Sequence, residues 1–499
     1  TKQIGMSICD ASVPNSELFE EWAAKKVDLP KLSECFELRR TESLGIHAVA
    51  RRAIHPGDLI ISEDALLRLS PLTTEARCFL QRFGELGEFL TPALAVDWAS
   101  TTSQLREASL KLFYAHPGTE KRSQDSHLAA CEELLRWPPL RTTKWTPQEL
   151  LHFLHIVDLN IHKDDERRQN AEFTGIFLLG SKFSHSCAPN ASWAFDATGH
   201  LQYRAIRPIA PLEVLTFSYV GNGMNLITST LIRRQRLAQL CFVCGCQRCA
   251  AEDLSRRVQC PEGCGGYCFP CYTSQDDRGF ANAGPRHSMI LDAASWRCNT
   301  CKVDISTSDL PLNAEEELAE LVPRFMQSPA SKAPEDAARL RDLRLKAATV
   351  LGKGHWTYFL ATFAWLQKCL ALMRNETVIP FSERDLSSAC VEVAEWLEVA
   401  AFENVEQRLC ALFLAVRLAQ HLGQGLKSWG YDALNPLKEM PCSDRRFMAI
   451  TKLELMGWEL QDDCIKGPPE FQPVDLQQLK NRLVKSGGPS PIFSTPGWR

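Results

Sequence analysis

Long apolar runs are missing from this chain of 499 residues. Its most apolar stretch, Cys410 to Val416, is short and is bounded by Arg408 and Arg417, whereas a membrane span needs ~18–20 apolar residues in a row. No basic-then-apolar segment stands at the N-terminus, so no signal segment is expected. A strong charge of either sign is missing as well. The net charge of -4 argues against a chain that wraps a polyanion, and the lack of basic stretches interleaved with aromatics argues against direct nucleic-acid binding. With 45% hydrophobic and 23% charged residues, the balance is that of an ordinary globular protein. These absences lead to the expectation of a cytoplasmic and/or nuclear protein. The length exceeds the ~250–300 residues at which one core stops growing, so several domains are expected.

Cysteine is abundant, and it is concentrated. Ten of the 20 cysteines fall between Cys241 and Cys301, in C-x-C and C-x-x-C spacings. Secreted disulfide scaffolds are usually shorter and spread their cysteines through the fold, so close pairs in a large chain read as metal thiolates, with zinc foremost.

The rest of the chain divides by pattern. Residues 1–35 form an N-terminal segment without a clear signal. Residues 36–64 are β-rich, with strands at Gly45 to Ala50 and Leu59 to Ser62 around the turn-former His55-Pro56-Gly57-Asp58. Residues 65–160 turn helical, with apolar periodicity at Leu105, Leu110, Leu112 and Phe113, and again at Leu150, Leu151, Phe153 and Leu154 after a Thr146-Pro147 start. Strands return in residues 161–250, at Leu201 to Ile206 and Val214 to Val220. Residues 251–305 hold a second cysteine-rich segment. Residues 310–465 read as helices in hairpins, tetratricopeptide-like, with a capping signature at Ser382-Glu383-Arg384-Asp385. The tail, 466–499, carries Pro468-Pro469 and Gly487-Gly488-Pro489.

Three ordered motifs carry chemistry: Phe183-Ser184-His185-Ser186-Cys187-Ala188-Pro189-Asn190-Ala191, Glu213-Val214-Leu215-Thr216-Phe217-Ser218-Tyr219, and Cys244-Gly245-Cys246-Gln247-Arg248-Cys249. In this order and separation they resemble the SET domain of protein-lysine methyltransferases. That family shows an N-H-S-C-x-P-N stretch, a G-E-E-L-x-x-x-Y stretch and a post-SET C-x-C-x-x-C. The helical insertion, the basic Arg233-Arg234-Gln235-Arg236 before Cys241-Phe242, and the C-terminal helices make it similar to the SET-and-MYND (SMYD) group, without a recognisable MYND zinc module. The resemblance covers residues 36–63 and 161–301; beyond them it rests on helical character. It implies an α+β fold: a β-rich SET fold with a helical insertion, a cysteine-rich zinc post-SET region and an all-helical C-terminal domain. It also implies an S-adenosylmethionine-dependent methyltransferase acting on a lysine of a protein partner, histone or non-histone.

A C-x-C-x-x-C supplies three thiolates, and tetrahedral zinc takes four ligands. The resemblance implies Cys187 as the fourth beside Cys244, Cys246 and Cys249; Cys241 reads as a spare, packed thiol. Farther on, Cys260-x3-Cys264 and Cys298-x2-Cys301 look like two knuckles of a zinc ribbon. Cys268 and Cys271 compete for the same positions, either as substitutes or as free thiols.

The resemblance places the methyl donor beside Gly45, Ile46 and His47, where a residue without Cβ lets backbone approach a ligand. It adds Asn170, Ser184 and His185, with Phe242 stacked on the adenine. Tyr219 is the expected catalytic residue, orienting the lysine amine. The chain departs from the pattern at three points. Ser184 stands where the family has Asn, Leu44 stands where a second glycine is usual, and Leu240 stands where many relatives place a tyrosine of the lysine channel; Phe173 is a candidate to line that channel. These departures define the alternative, a catalytically weak or inactive SET-fold scaffold that binds partners through its helical domain. His152, His155 and His162 with Asp158 read as solvated or packed rather than as a metal site.

Overall fold

The computed structural model describes residues 35–68, 124–163, 174–271, 295–374 and 380–400, with short gaps at 42–43, 142–144, 197, 221–223, 241–243, 327 and 329–331, and isolated positions elsewhere. The chain divides into two units: Thr1–Ser184 with Asn190–Phe217, and His185–Pro189 with Ser218–Arg499.

The first unit opens on a hairpin of β1 (Phe36–Thr41) and β2 (Gly45–Ala50), with Phe36 opposite Ala50 and Thr41 opposite Gly45. Gly45 has φ +61 at the head of β2, a conformation that costs little only without a Cβ. The strands that follow are β3 (Leu59–Glu63), β4 (Leu67–Arg68), β5 (Ile161–Lys163), β6 (Thr174–Ile176), β7 (Ser184–His185), β8 (Ala191–Phe195), β9 (Leu201–Ala205) and β10 (Thr216–Phe217). They build one antiparallel sheet in the order β3-β9-β8 and another in the order β4-β6-β5. In β9 Leu201, Tyr203 and Ala205 are buried while Gln202 and Arg204 are half-buried. That period of two is what a strand with one core face requires.

The helices of this unit are α1 (Gln124–Leu134), α2 (Pro138–Arg141) and α3 (Pro147–Asn160). The Thr146-Pro147 start is realised as a capping box: the Glu149 N–H donates to Thr146 Oγ1 at 3.2 Å, and the Thr146 N–H donates to Glu149 Oε2 at 2.8 Å. The apolar face of α3, with Leu150, Phe153, Leu154 and Val157, joins one core with Phe36, Ile176, Phe177, Phe183, Leu201 and Tyr203. Each such side chain contributes roughly 1.5–3 kcal/mol on burial. His162 is buried, whereas His152 is exposed.

The sequence predicts a strand from Val214 to Val220, but the structure holds only Thr216–Phe217 in one. Val214 makes a lone bridge to Val49. The Asn190 amide takes the bonds that a neighbouring strand would make: its Nδ2 donates to the Val214 carbonyl at 2.8 Å, and its Oδ1 accepts from the Thr216 N–H at 2.7 Å. A side chain that competes for ladder groups cuts the strand short.

The second unit contains α4 (Met224–Ile227), α5 (Thr230–Gln239) and the single turn α6 (Gln247–Ala250), then a 3-10 turn at Leu254–Arg256. Ser229 caps α5, its Oγ accepting from the Ile232 N–H at 3.3 Å. The second cysteine-rich segment folds as an antiparallel sheet, β11 (Val258–Gln259), β12 (Tyr267–Cys271), β13 (Ser295–Cys298) and β14 (Asp304–Ile305), in that spatial order. The helical region follows with α7 (Asn313–Met326), α8 (Ala333–Val350), α9 (Trp356–Arg374) and α10 (Glu383–Ala400). Gly352, at φ +92, ends α8, and its N–H bonds the Ala347 carbonyl at 3.0 Å. At the predicted capping signature the Asp385 N–H donates to Ser382 Oγ at 3.1 Å. Trp356, Trp365, Phe359, Leu386, Val393 and Trp396 form the core of these helices.

One boundary is corrected. The helical expectation to 465 fails at its end, where β15 (Glu459–Gln461) pairs antiparallel with β16 (Cys464–Lys466). Gln461 stands opposite Cys464 in that register. No helix among the described residues is long and apolar enough to cross a membrane.

Candidate active site and metal centres

The first unit holds Gly45, Ile46, His47 and Ser184 of the predicted donor pocket. Among the described residues, a Cβ placed on Gly45 would have nothing within 4 Å, which leaves its backbone room for a ligand on their side. His47 is buried at 3% exposure, and its Nδ1 lies 3.1 Å from the Gly45 carbonyl, which fixes the ring against the turn. The Ser184 N–H donates to the Leu215 carbonyl at 3.0 Å. Leu44 is exposed. Asn170, Phe173, Cys241 and Phe242 lie outside the described residues.

The second unit brings His185, Cys187 and Tyr219 together. The Tyr219 N–H donates to His185 Nδ1 at 3.0 Å, and the two rings lie 5.2 Å apart between centroids. Burial pushes His185 down to about 4, so its ring is neutral. Burial pushes the Tyr219 phenol well above its usual value, so the hydroxyl keeps its proton. Val220, Leu226 and Leu237 pack beside Tyr219 and the half-buried Leu240.

The sulfurs of Cys187, Cys244, Cys246 and Cys249 all lie within 4.8 Å of one another. Cys187 Sγ is 4.0 Å from Cys244 Sγ and 3.5 Å from Cys249 Sγ. Tetrahedral zinc with ~2.3 Å bonds sets sulfurs about 3.8 Å apart, so the set fits that ion, and none of the four is in a disulfide. Further donors point at the sulfurs: the Cys187 N–H toward Cys246 Sγ at 3.4 Å, and Arg233 Nη2 toward Cys249 Sγ at 3.8 Å. Arg248 Nη1 donates to the Cys187 carbonyl at 2.9 Å. Arg233 and Arg248 are buried, which offsets the negative charge of a tetrathiolate centre.

A second group, Cys260, Cys264, Cys298 and Cys301, also lies within 4.8 Å. Cys260 and Cys301 are 3.8 Å apart, and Cys264 and Cys298 are 3.5 Å apart. The Gly266 and Thr300 N–H groups donate to Cys264 Sγ and Cys298 Sγ, each at 3.4 Å. Cys268 is buried opposite Cys298 in the sheet and stands outside this group, as does Cys271.

Several buried polar groups of the two units were not anticipated from the sequence. In the first, the Glu63 carboxylate accepts from the Leu179 and Gly180 N–H groups at 3.0 and 2.8 Å. Burial pushes Glu63 up to about 7 and Lys182 down to about 7. His162 Nε2 lies 2.7 Å from the Tyr203 hydroxyl among Phe177, Trp193 and Phe217. In the second, Arg248 is visible in the sequence inside the C-x-x-C, where a guanidinium beside thiolates is the signal.

Residues 45–220 match the family model described as SET domain. The mouse protein named histone-lysine N-methyltransferase SMYD3 is 40% identical over 79 residues, 16% of this chain and 18% of that protein. The zebrafish protein-lysine N-trimethyltransferase SMYD5 is 30% identical over 140 residues, 27% of this chain and 31% of that protein. A mimivirus protein named putative SET domain-containing protein L678 is 35% identical over 81 residues, 16% of this chain and 30% of that one. The chain thus spans less than a third of the length of these curated relatives. The match takes in the Gly45 turn, the His185 and Cys187 motif, and Tyr219.

Proposed function

We propose that this chain is a protein-lysine N-methyltransferase that moves a methyl group from S-adenosylmethionine to a lysine side chain of another protein. The observation that carries this reading is the bond from the Tyr219 N–H to His185 Nδ1, inside a SET domain and beside a four-thiol cluster. S-adenosylmethionine supplies, when bound, an electrophilic methyl on a sulfonium. Gly45, Ile46, His47, Asn170, Ser184, His185 and Phe242 are the residues that would hold it, and the open space beside Gly45 fits a ligand lying on backbone.

The chain's own part is to align the lysine amine and free it of its proton. A buried channel penalises the ammonium and so favours the neutral amine. The Tyr219 hydroxyl, kept protonated by burial, orients that amine, and alignment of this kind supplies ~7–11 kcal/mol of barrier reduction. Zinc on Cys187, Cys244, Cys246 and Cys249 would hold the segment after Tyr219 in place, and a second zinc on Cys260, Cys264, Cys298 and Cys301 would hold the β11–β14 sheet. The partner is a protein presenting a lysine, histone or non-histone. Free thiols in both clusters suit the reducing cytoplasm or nucleus.

The test is calorimetric titration of S-adenosylmethionine into zinc-loaded protein, followed by methyl transfer to peptide libraries. Micromolar binding, on the order of -8 kcal/mol, together with transfer that Tyr219→Phe removes, supports the reading. Folded, zinc-loaded protein that binds no donor overturns it and favours the scaffold alternative.

A further inference from the structure

His185 is engaged at both ring nitrogens. A backbone N–H can only donate, so Nδ1, 3.0 Å from the Tyr219 nitrogen, presents its lone pair. A neutral imidazole that accepts at one nitrogen carries its proton on the other. That other nitrogen, Nε2, lies 3.3 Å from Cys187 Sγ. The proton is therefore aimed at a sulfur that also faces Cys244 and Cys249.

We infer that His185 is a positioning residue that ties the metal centre to Tyr219, its Nε2–H donating to the Cys187 thiolate while its Nδ1 accepts the Tyr219 backbone N–H. The inference rests on the proposed reading of Cys187 as a zinc ligand and of Tyr219 as the catalytic residue. Its physical content has two sides. An N–H···S bond draws charge from the thiolate and fixes the sulfur's direction, as outer partners of metal ligands do. The accepted N–H fixes the backbone from which the Tyr219 phenol projects. The ring passes order from the metal centre to the chemistry, and its polar atoms are committed to protein, leaving a donor molecule the ring face and the backbone.

The experiment uses the full chain, zinc-loaded and labelled with 15N-histidine. Long-range proton–nitrogen correlation spectra report the tautomer of His185, assigned by the signal that His185→Asn removes. The expected state is Nε2–H. Two variants then separate the two bonds. Asn puts an oxygen near the place of Nδ1 and keeps the Tyr219 contact without the thiolate donor. Gln puts an N–H near the place of Nε2 and keeps the thiolate contact without the Tyr219 acceptor.

His185→Asn is expected to speed release of one zinc equivalent to a chromogenic chelator ~10–100-fold. His185→Gln is expected to hold that zinc within a few-fold while lowering kcat measured at saturating donor. An Nδ1–H tautomer in zinc-loaded protein, or equal effects of the two variants on release and on kcat, overturns the inference alone. Zinc content that Cys187→Ser leaves unchanged overturns the metal reading beneath it, so the two failures are told apart.

Discussion

Arg256 and Glu315 meet as a fully buried ion pair, with Arg256 Nη2 2.9 Å from Glu315 Oε2 and both side chains at 0% exposure. Trp356 Nε1 also donates to Glu315, at 2.7 Å, and His355 Nε2 lies 3.5 Å away. The guanidinium stacks toward Trp296, 5.0 Å from the ring. One carboxylate thus joins the 3-10 turn after the first cysteine cluster, the β11–β14 sheet, and the starts of α7 and α9.

Removing one partner leaves the other charge buried and alone, which costs about 3–5 kcal/mol. Glu315→Gln is expected to lose that much in urea unfolding followed by tryptophan fluorescence. A loss under 1 kcal/mol would show that the pair is neutral to stability. Burial alone would push Glu315 up, but Arg256 and His355 overrule it and hold the carboxyl at about 2. Because the folded value is depressed, the contribution is present above the ordinary value of 4.5 and is lost as pH falls from there toward 2.

His162 gives the first unit its own acid sensitivity. Burial lowers it from 6.5 to about 4, so the unfolded chain binds the proton first. Stability is then full above about 6.5 and falls as pH drops toward 4, by on the order of 3 kcal/mol. Thermal melts across that window should steepen in wild type and flatten in His162→Gln. Parallel curves for the two would count against this origin.

Tyr219→Phe removes one hydroxyl from a ring that packs on apolar neighbours. Zinc content and donor affinity should stay unchanged while methyl transfer falls ~10²-fold or more, the scale of a lost alignment. Retained activity with Phe would remove Tyr219 from the chemistry.

Metal analysis should find two zinc ions per chain, falling to one in Cys187→Ser and to one in Cys298→Ser, with Cys268→Ala keeping two. A chelator that strips them should lower Tm, because site formation and folding share free energy. Loss of a zinc in Cys268→Ala would instead make that thiol a ligand.

The motifs were legible because their chemistry demands fixed residue types at short spacing. The four cysteines around Cys187 come together as the motif order implied, and so do the four of the second cluster. The helix starts at Thr146 and Ser382 were legible for the same reason, being local. What escaped is long-range. Arg256 and Glu315 are 59 residues apart in sequence, and nothing in either segment announces the other. The shortened strand at Thr216 escaped because Asn190, from 26 residues earlier, supplies the competing bonds. The choice among six thiols in the second cluster turned on strand pairing: β12 and β13 set Cys268 opposite Cys298 and outside the set of four.

A metal held by the first cluster would also act on the chain as a staple. Cys187 and Cys244 stand 57 residues apart, and between them the chain leaves the second unit, runs through Asn190–Phe217 of the first, and returns. A metal that joins them closes a loop of that length, and a cross-link of such span removes about 4 kcal/mol of entropy from the unfolded chain. The set of four is complete only once residue 249, which follows β8, β9 and β10 in the chain, has emerged from synthesis. Metal bound by all four thiols would thus follow synthesis of this whole stretch, and a nascent chain shorter than this would carry its thiols open.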